Sequence, residues 1–294
     1  MIKTTHLILL ATATLLLLPA VHAGSPIEQS RAMHKDGLLK VENAAGSIEI
    51  TAWDKDEVRI SGELGDDVED LEILETSSGV EIRVRNRHSR HSVDESHVRL
   101  QIPAAASVEA QSISADISLQ GLAGASLVLN SVSGDLTVDA RTERLEAESV
   151  SGDVIFRGHA PRASVETVSG EMDLQGIEGE IRISTVSGDV ELSGSRIERG
   201  RFETVAGDLA MDLDVIAGGR LNAQSMSGDV RLALPAAQQA EFTAQTYSGE
   251  IRSDFGSVDK DSRGPGKTLS FRAGNNGANI RIESFSGDIR IRQR

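Results

Sequence analysis

The chain has 294 residues, a formal net charge of −15 and no cysteine. The missing cysteine excludes a disulfide framework, a thiolate nucleophile, a lipoprotein anchor and zinc bound by Cys ligands. The acidic excess argues against a nucleic-acid partner and against docking on an anionic membrane surface, because both depend on Lys and Arg.

The first element is an apolar run over residues 7–18, preceded by Lys3 and followed by the small-x-small sequence of residues 21–23. This pattern predicts a signal peptide over 1–23, cleaved before Gly24. An uncleaved anchor is the alternative, but the run is shorter than the roughly 20 residues that span a bilayer. No later stretch approaches that length, so we expect an exported protein, periplasmic or extracellular, with no transmembrane segment in the mature chain. Without residues 1–23 the chain keeps 29 basic and 45 acidic residues, a net charge of −16.

Residues 24–37 are interpreted as a linker, and residues 38–110 as an N-terminal β unit. That unit contains short alternating runs separated by Gly, Asp, Ser and His clusters: "LLKVE", "SIEITAW", "EVRISGEL", "GVEIRVRN" and "HVRLQIP". Alternation of this kind predicts strands. We expect the unit to cap the repeats that follow or to form their irregular first coils.

Residues 111–294 repeat one octapeptide, S/T-φ-S/A-G-D/E-φ-x-φ, in which φ is apolar or aromatic. Its copies are "SVSGDLTV" (131–138), "SVSGDVIF" (149–156), "TVSGEMDL" (167–174), "TVSGDVEL" (185–192), "TVAGDLAM" (204–211), "SMSGDVRL" (225–232), "TYSGEIRS" (246–253) and "SFSGDIRI" (284–291). A weakened ninth copy, "SISADISL" (112–119), has Ala115 in place of glycine, and "NAAGSIEI" (43–50) resembles a tenth.

The motif glycines are spaced 18, 18, 18, 19, 21, 21 and 38 residues apart. Such short periods are typical of one turn of a β-solenoid. We therefore predict an all-β fold, a parallel β-solenoid of about 18–21-residue coils with an irregular N-terminal β cap. The last gap is interpreted as one degenerate coil plus a loop. Arg290, Arg292 and Arg294 are interpreted as a charged guard at the end of the stack.

The alternation also predicts which side chains face inward. We expect the first φ position to form an inner column that becomes bulkier toward the C-terminus: Val132, Val150, Val168, Val186, Val205, Met226, Tyr247 and Phe285. The motif serines and acidic residues are expected to face outward. The glycine either fills a place too narrow for a side chain or adopts a bulge conformation open to few other residues.

The octapeptide, together with "WDKDEVRISGEL" (53–64) and "RLQIPAAASVEAQS" (99–112), resembles the bacterial putative-adhesin family of β-strand repeat proteins, a domain of unknown function. The resemblance covers residues 38–294. It implies a β-solenoid-like fold in an exported or envelope protein, often associated with membrane-stress or signalling systems. It implies no catalytic or binding residues.

The motif carboxylates form the most conspicuous candidate site. They are Asp135, Asp153, Glu171, Asp189, Asp208, Asp229, Glu250 and Asp288. Stacked coils would bring them about 5 Å apart, where like charges repel. Two interpretations stay open: a solvated column with hydrogen bonds at the corners, or weak binding of Ca²⁺, which needs 6–8 oxygen ligands.

Two further features have alternative interpretations. His88, His91 and His97, with Asp94 and Glu95, form either a polar loop or an opportunistic Zn²⁺ site, and their spacing matches no established ligand pattern. The outward residue between the last two φ positions changes from acidic to basic along the repeats: Thr137, Ile155, Asp173, Glu191, Ala210, Arg231, Arg252 and Arg290. This change either steers a partner or reflects local pairing of each Arg with the acidic column.

Taken together, these features favour a non-enzymatic interaction module of the bacterial cell envelope, adhesin-like or structural, whose partner is an unknown envelope protein or surface polymer. We assign no catalytic residue, no cofactor-binding residue and no cofactor, apart from the Ca²⁺ alternative. An envelope-stress signalling component that binds a membrane protein is the second hypothesis. A polysaccharide-active enzyme is a distant third.

Overall fold

A computed structural model describes residues 25–87, 94–257, 259–260, 266–275 and 277–294. In this part of the chain the regular structure consists of 21 strands in one sheet, with no helix, so the all-β prediction is confirmed. Accordingly, no helix there has the length and apolarity needed to cross a membrane. The strands are β1 (Ser25–Ala32), β2 (Leu38–Trp53), β3 (Glu57–Leu64), β4 (Val68–Glu75), β5 (Gly79–Asn86), β6 (Ser96–Pro103), β7 (Ser107–Leu122), β8 (Ser126–Ser131), β9 (Leu136–Arg141), β10 (Arg144–Ser149), β11 (Val154–Thr167), β12 (Met172–Thr185), β13 (Val190–Thr204), β14 (Leu209–Ser225), β15 (Val230–Leu234), β16 (Ala240–Thr246), β17 (Ile251–Ser253), β18 (Asp259–Lys260), β19 (Lys267–Ala273), β20 (Ala278–Ser284) and β21 (Ile289–Gln293).

The repeats form stacked coils whose strands pair in parallel. β11 pairs with β12, β12 with β13 and β13 with β14, and the register joins Val154 to Met172, Met172 to Val190 and Val190 to Leu209. These paired positions are separated by one motif period, so each coil lies directly over the preceding one. Equivalent residues consequently form columns along the stack, with the usual spacing between neighbouring strands of about 4.8 Å.

The core is built from alternate strand positions. β9 shows the pattern clearly, because Leu136, Val138 and Ala140 are buried while the residues between them are exposed. The second φ position of the motif supplies one continuous buried column: Ile117, Leu136, Val154, Met172, Val190, Leu209, Val230, Ile289 and Ile251. Full burial of one such side chain contributes about 1.5–3 kcal/mol. Stacking provides this burial, because a single coil has no second layer to cover its apolar side chains.

The N-terminal strands join the same sheet. β2 pairs in parallel with β7 on one side and with β5 and β6 on the other. Gly46 of the tenth motif copy lies opposite Ala115 of the ninth, so these two copies are also stacked. Antiparallel pairs complete this region, namely β1 with β3, β3 with β6 and β4 with β5. The linker interpretation of 24–37 is wrong for β1, because all eight of its residues pair with β3 and its Ile27 is buried against the core.

The C-terminal coil is not the last in space. β20 lies between β14 and β16, and β21 lies between β15 and β17. The described residues of the 38-residue gap therefore form no degenerate coil. They form β17, β18, β19 and β20, and β19 pairs antiparallel with β16. The prediction of a stack in chain order is wrong here, because similar motifs offer similar pairing surfaces and the final coil inserts between two earlier ones.

This insertion also corrects the interpretation of the C-terminal arginines as a guard at the end of the stack. The strand that carries Arg290 and Arg292 has a partner on both sides. Arg294 pairs instead with two acids of β14, with its Nε 2.7 Å from Asp212 Oδ1 and its guanidinium paired with Asp214. The outer position next to β16 belongs to β19.

Candidate functional site

Each motif begins with a buried hydroxyl that closes the corner of its coil. The Ser131 Oγ accepts a hydrogen bond from the Gly134 amide at 2.9 Å and donates one to the Gly134 carbonyl at 2.7 Å. The equivalent positions are all buried: Ser131, Ser149, Thr167, Thr185, Thr204, Ser225, Thr246 and Ser284. These hydroxyls satisfy backbone groups that would otherwise be buried without a partner, which is costly. They are therefore structural.

The motif glycine permits close approach of neighbouring coils. A Cβ on Gly170 would lie 2.0 Å from the Gly152 carbonyl oxygen, and one on Gly188 would lie 1.9 Å from that of Gly170. None of the eight motif glycines has a positive φ. The prediction that the glycine fills a place too narrow for a side chain is thus confirmed, and the alternative of a bulge conformation is wrong.

The motif carboxylates face outward, and most bind the backbone of the next coil. Asp153 Oδ1 accepts a hydrogen bond from the Glu171 amide at 2.9 Å, and Asp135 Oδ1 accepts one from Asp153 at 2.9 Å. The same bond joins the pairs 116–135, 189–208, 208–229, 229–288 and 288–250. In the coils described, the longer Glu171 makes no such bond to Asp189. These hydrogen bonds give most of the motif carboxylates a structural role at the corners of the coils.

Metal binding by this column stays a prediction. Over the described ranges, no group of three or more His, Cys, Asp or Glu side chains is arranged to hold a metal ion. Three members of the column have cationic neighbours instead. Arg231 lies 3.0 Å from Asp208 and 3.4 Å from Asp229. Lys267 pairs with Glu250 and holds the pKa of that carboxyl below its usual value through a hydrogen bond and charge attraction.

The first φ position does not face the core, so the predicted inner column is wrong. Its side chains are 46–60% exposed: Ile113, Val132, Val150, Val168, Val186, Val205, Met226, Phe285 and Tyr247, in spatial order. The inward alternation of the strand continues from Ile181 and Ile183 to Thr185, which leaves Val186 outside. The corner needs the threonine hydroxyl inside, so the polar residue is buried and the apolar one is exposed. We call these nine side chains the apolar ladder.

The backbone holds the apolar ladder in register. The amide after each ladder residue donates to the carbonyl of the preceding ladder residue, as in Ser169 N to Val150 O at 3.0 Å and Ser187 N to Val168 O at 2.9 Å. Nine coils at the spacing of paired strands give the ladder a length of roughly 38 Å. At its far end Tyr247 and Phe285 stack, with ring centroids 5.2 Å apart and planes inclined by 7°.

One groove borders the apolar ladder, and another is lined by the motif carboxylates that follow ladder residues in the chain. Near its aromatic end, a groove of about 560 Å³ lies between Val205, Met226, Phe285 and Tyr247 on one wall and a polar row on the other, made of Glu203, Gln224, Glu283 and Gln245. In the middle coils, a groove of about 510 Å³ is lined by six carboxylates, the first of which stands three residues after Val150 in the chain: Asp153, Glu171, Asp173, Asp189, Glu191 and Asp208. We call the second one the acidic groove.

The predicted change from acidic to basic along the outer row is present, but its order differs. Arg231 is followed in space by Arg290 and then Arg252, because the last coil is inserted. Arg231 pairs with the acidic column, and Arg157 pairs with Asp173 of the outer row. Local pairing therefore accounts for Arg231, the first arginine of the basic part of the outer row.

A third groove, of about 410 Å³, carries arginines on the opposite side of the polar row, a cluster that the sequence analysis missed. Its arginines are Arg144, Arg162, Arg182, Arg199, Arg201 and Arg220. Glutamates neutralise several of them, since Arg199 pairs with Glu180 and Arg201 with Glu203. The signal that would reveal this cluster is the recurrence of Arg one motif period apart.

The histidine cluster lies partly outside the described residues, which include His97 but not His88 or His91. His97 Nδ1 is 3.0 Å from Ser47 Oγ, and its Nε2 is 3.8 Å from the exposed Glu95 carboxylate. The backbone amide of Asp94 donates to Asp67 Oδ1 at 3.1 Å. The zinc interpretation of the cluster stays a prediction.

Comparison with known proteins gives a family and several distant structures. Residues 38–292 match the family model described as Toastrack DUF4097. A putative adhesin from Parabacteroides merdae is 11% identical, with 92% of this chain and 97% of that chain aligned and a TM-score of 0.49. A putative adhesin from Bacteroides fragilis is 12% identical, over 91% and 97% of the two chains, with a TM-score of 0.47. A putative lipid binding protein from Parabacteroides distasonis is 11% identical, over 92% and 98%, with a TM-score of 0.47. No curated protein matches the chain.

Proposed function

Since the chain belongs to the Toastrack DUF4097 family, we propose that it is an exported, non-enzymatic interaction module of the bacterial cell envelope, built as a parallel β-solenoid. The observation that carries this proposal is the apolar ladder. Single exposed apolar residues are common on protein surfaces, but a contiguous apolar patch usually marks an interaction site. Nine exposed apolar side chains in one unbroken column are such a patch.

The non-enzymatic part of the proposal is supported by the roles of the repeated polar residues. The motif hydroxyls close their own corners, as Ser131 does with Gly134. The motif carboxylates bind backbone amides of the next coil, as Asp153 does with Glu171. Hydroxyl and carboxylate groups, which serve catalysis in many enzymes, here hold the coils together, whereas the exposed ladder side chains make no such bonds between the described coils.

The test is crosslinking in cells of the tagged full-length protein, followed by mass spectrometry of what it captures. Wild type is compared with the ladder variant V150S/V168S/V186S and with the control variant T137S/D139S/R141S, whose three positions are exposed on β9. We expect wild type and the control to capture the same partner and the ladder variant to lose it. Equal capture by all three would contradict the proposal.

The identity of what is captured separates the two leading versions of this function. A single membrane protein recovered in near-equal amount would identify a signalling or assembly component. Cell-wall or surface polymer would identify a structural or adhesive role. Both outcomes require the ladder, so the comparison of variants is informative in either case.

A further inference from the structure

The side of the apolar ladder that leads into the next strand is strongly negative. Three residues after each ladder position stands a motif carboxylate, and four of these motif carboxylates (Asp153, Glu171, Asp189 and Asp208) line the acidic groove. Of the six carboxylates that line this groove, two have an arginine partner: Asp173 pairs with Arg157, and Asp208 pairs with Arg231. The middle coils of the ladder therefore lie beside a surplus of negative charge.

The other side of the ladder carries acids as well. Two residues before Val150 and Val168 stand Glu148 and Glu166, both exposed on the strands that end directly before these ladder residues. Glu166 has one cationic neighbour, Arg182, at 3.9 Å, which is a weak interaction between exposed groups. The middle of the ladder is thus an apolar strip between two rows that contain carboxylates.

This charge pattern selects among possible occupants. If a second copy packed its ladder against this one, each acidic row would face another row that carries acids, and like charges at an interface cost affinity. An anionic lipid surface would be repelled in the same way. A partner that places positive charges on both sides of an apolar strip satisfies the apolar and the charged features together.

We propose that the apolar ladder and the acidic groove bind a basic amphipathic segment of a partner protein, in which apolar side chains alternate with Lys or Arg. This inference rests on the proposed function and adds the chemistry of the partner. The apolar side chains of the segment cover Val150, Val168 and Val186. Its cationic groups reach the carboxylates on either side.

The acidic column can accept these cations without loss of its structural role. The Oδ1 of Asp153 binds the amide of the next coil, and the carboxylate keeps a second oxygen for a cationic partner. The same holds for Asp189, whose Oδ1 accepts the Asp208 amide at 2.8 Å. Replacement by Asn keeps an acceptor oxygen for the amide and removes the charge, which separates the two roles experimentally.

The experiment measures binding of defined peptides to the purified mature chain by fluorescence anisotropy. The probes are 12-residue peptides that alternate Val with Lys, Val with Glu and Val with Thr. We expect the Val–Lys peptide to bind, and the other two to bind at least about tenfold more weakly, because about three exposed ion pairs are lost. Raised salt should weaken the Val–Lys complex by a similar factor.

Two variants complete the test. D153N/E171Q/D189N should lose about tenfold in affinity for the Val–Lys peptide with an unchanged melting temperature, and V150S/V168S/V186S should lose a comparable amount. Binding of the Val–Glu or Val–Thr peptide as tight as that of Val–Lys would overturn the inference. So would unchanged affinity in the amide variant. If the amide variant still captures the cellular partner while the serine variant does not, the proposed function stands and this inference fails.

Discussion

The close approach at the motif glycine gives the sharpest prediction. Replacement of Gly170 by Ala would put a Cβ 2.0 Å from the Gly152 carbonyl oxygen, whereas ordinary van der Waals contact begins near 3.4 Å. The two coils would have to separate by more than 1 Å, as an estimate from ordinary packing distances. That separation would stretch two inter-coil hydrogen bonds, Ser169 N to Val150 O and Glu171 N to Asp153 Oδ1.

Overpacking of a well-packed site costs about 1–3 kcal/mol, and each weakened hydrogen bond adds about 0.5–1.5 kcal/mol. We therefore expect Gly170→Ala to lower the free energy of unfolding by about 2–5 kcal/mol, measured by urea denaturation followed by circular dichroism. The control is Ser169→Ala in the same corner, which removes only the exposed hydrogen bond from Ser169 Oγ to the Val150 carbonyl at 3.2 Å and is expected to cost less than about 1 kcal/mol. A Gly170→Ala variant as stable as Ser169→Ala would refute the account of the glycine column.

Three further predictions follow from the corner and from the C-terminal hairpin. Asp153→Ala should lower the free energy of unfolding by about 1 kcal/mol, because it removes the acceptor for the amide of the next coil, whereas Asp153→Asn should stay within about 0.5 kcal/mol of wild type. The wild-type melting temperature should be the same with and without Ca²⁺, and a Ca²⁺-dependent rise in that temperature would favour the metal interpretation. Thr185→Val should lower the free energy of unfolding by about 1–3 kcal/mol because it leaves the buried Gly188 amide without an acceptor, and Thr185→Ser should lower it by less. Equal free energies of unfolding for the two variants in chemical denaturation would contradict this role of the hydroxyl. The lowered pKa of Glu250 adds stability at higher pH that is lost as pH falls through that pKa, below the ordinary value of 4.5. Lys267→Gln should therefore flatten the acid side of the stability profile, and an unchanged profile would count against the pairing.

Repetition made several features predictable from the sequence. The all-β class follows from alternation, and the parallel pairing of residues one motif period apart follows from the spacing of the glycines. The outward direction of the carboxylates and the tight place at glycine follow from parity along the strand. These features recur from coil to coil, so a departure in one copy, such as Ala115 in place of glycine, does not change the pattern.

The direction of the first φ position could not be read from hydrophobicity alone. An apolar residue beside a threonine is expected inside, yet Thr185 is buried and Val186 is exposed. The deciding force is local, because the Gly188 amide needs the threonine hydroxyl as its acceptor at 3.0 Å. Continuing the alternation of Ile181 and Ile183 by two residues would have indicated the correct direction.

The spatial order of the last coils and the pairing of β1 could not be predicted from the sequence pattern either. Similar motifs can stack on one another in more than one order, so proximity along the chain does not determine proximity in space. β1 has few apolar residues, and Ile27 is its one buried side chain. A strand held mainly by backbone pairing to β3 leaves little trace in hydrophobic periodicity.

The most direct test of the account is thiol labelling of single-cysteine variants, which is possible because the chain has no native cysteine. The variants are Val168→Cys on the ladder, Val165→Cys in the core and Asp139→Cys on an exposed strand position. In the purified folded protein we expect a maleimide to label positions 168 and 139 rapidly and position 165 only on unfolding. In intact envelopes position 168 should be protected while position 139 is labelled as before. Slow labelling of 168 in the purified protein, or equal labelling of 168 and 139 in envelopes, would contradict the ladder as a partner-binding surface.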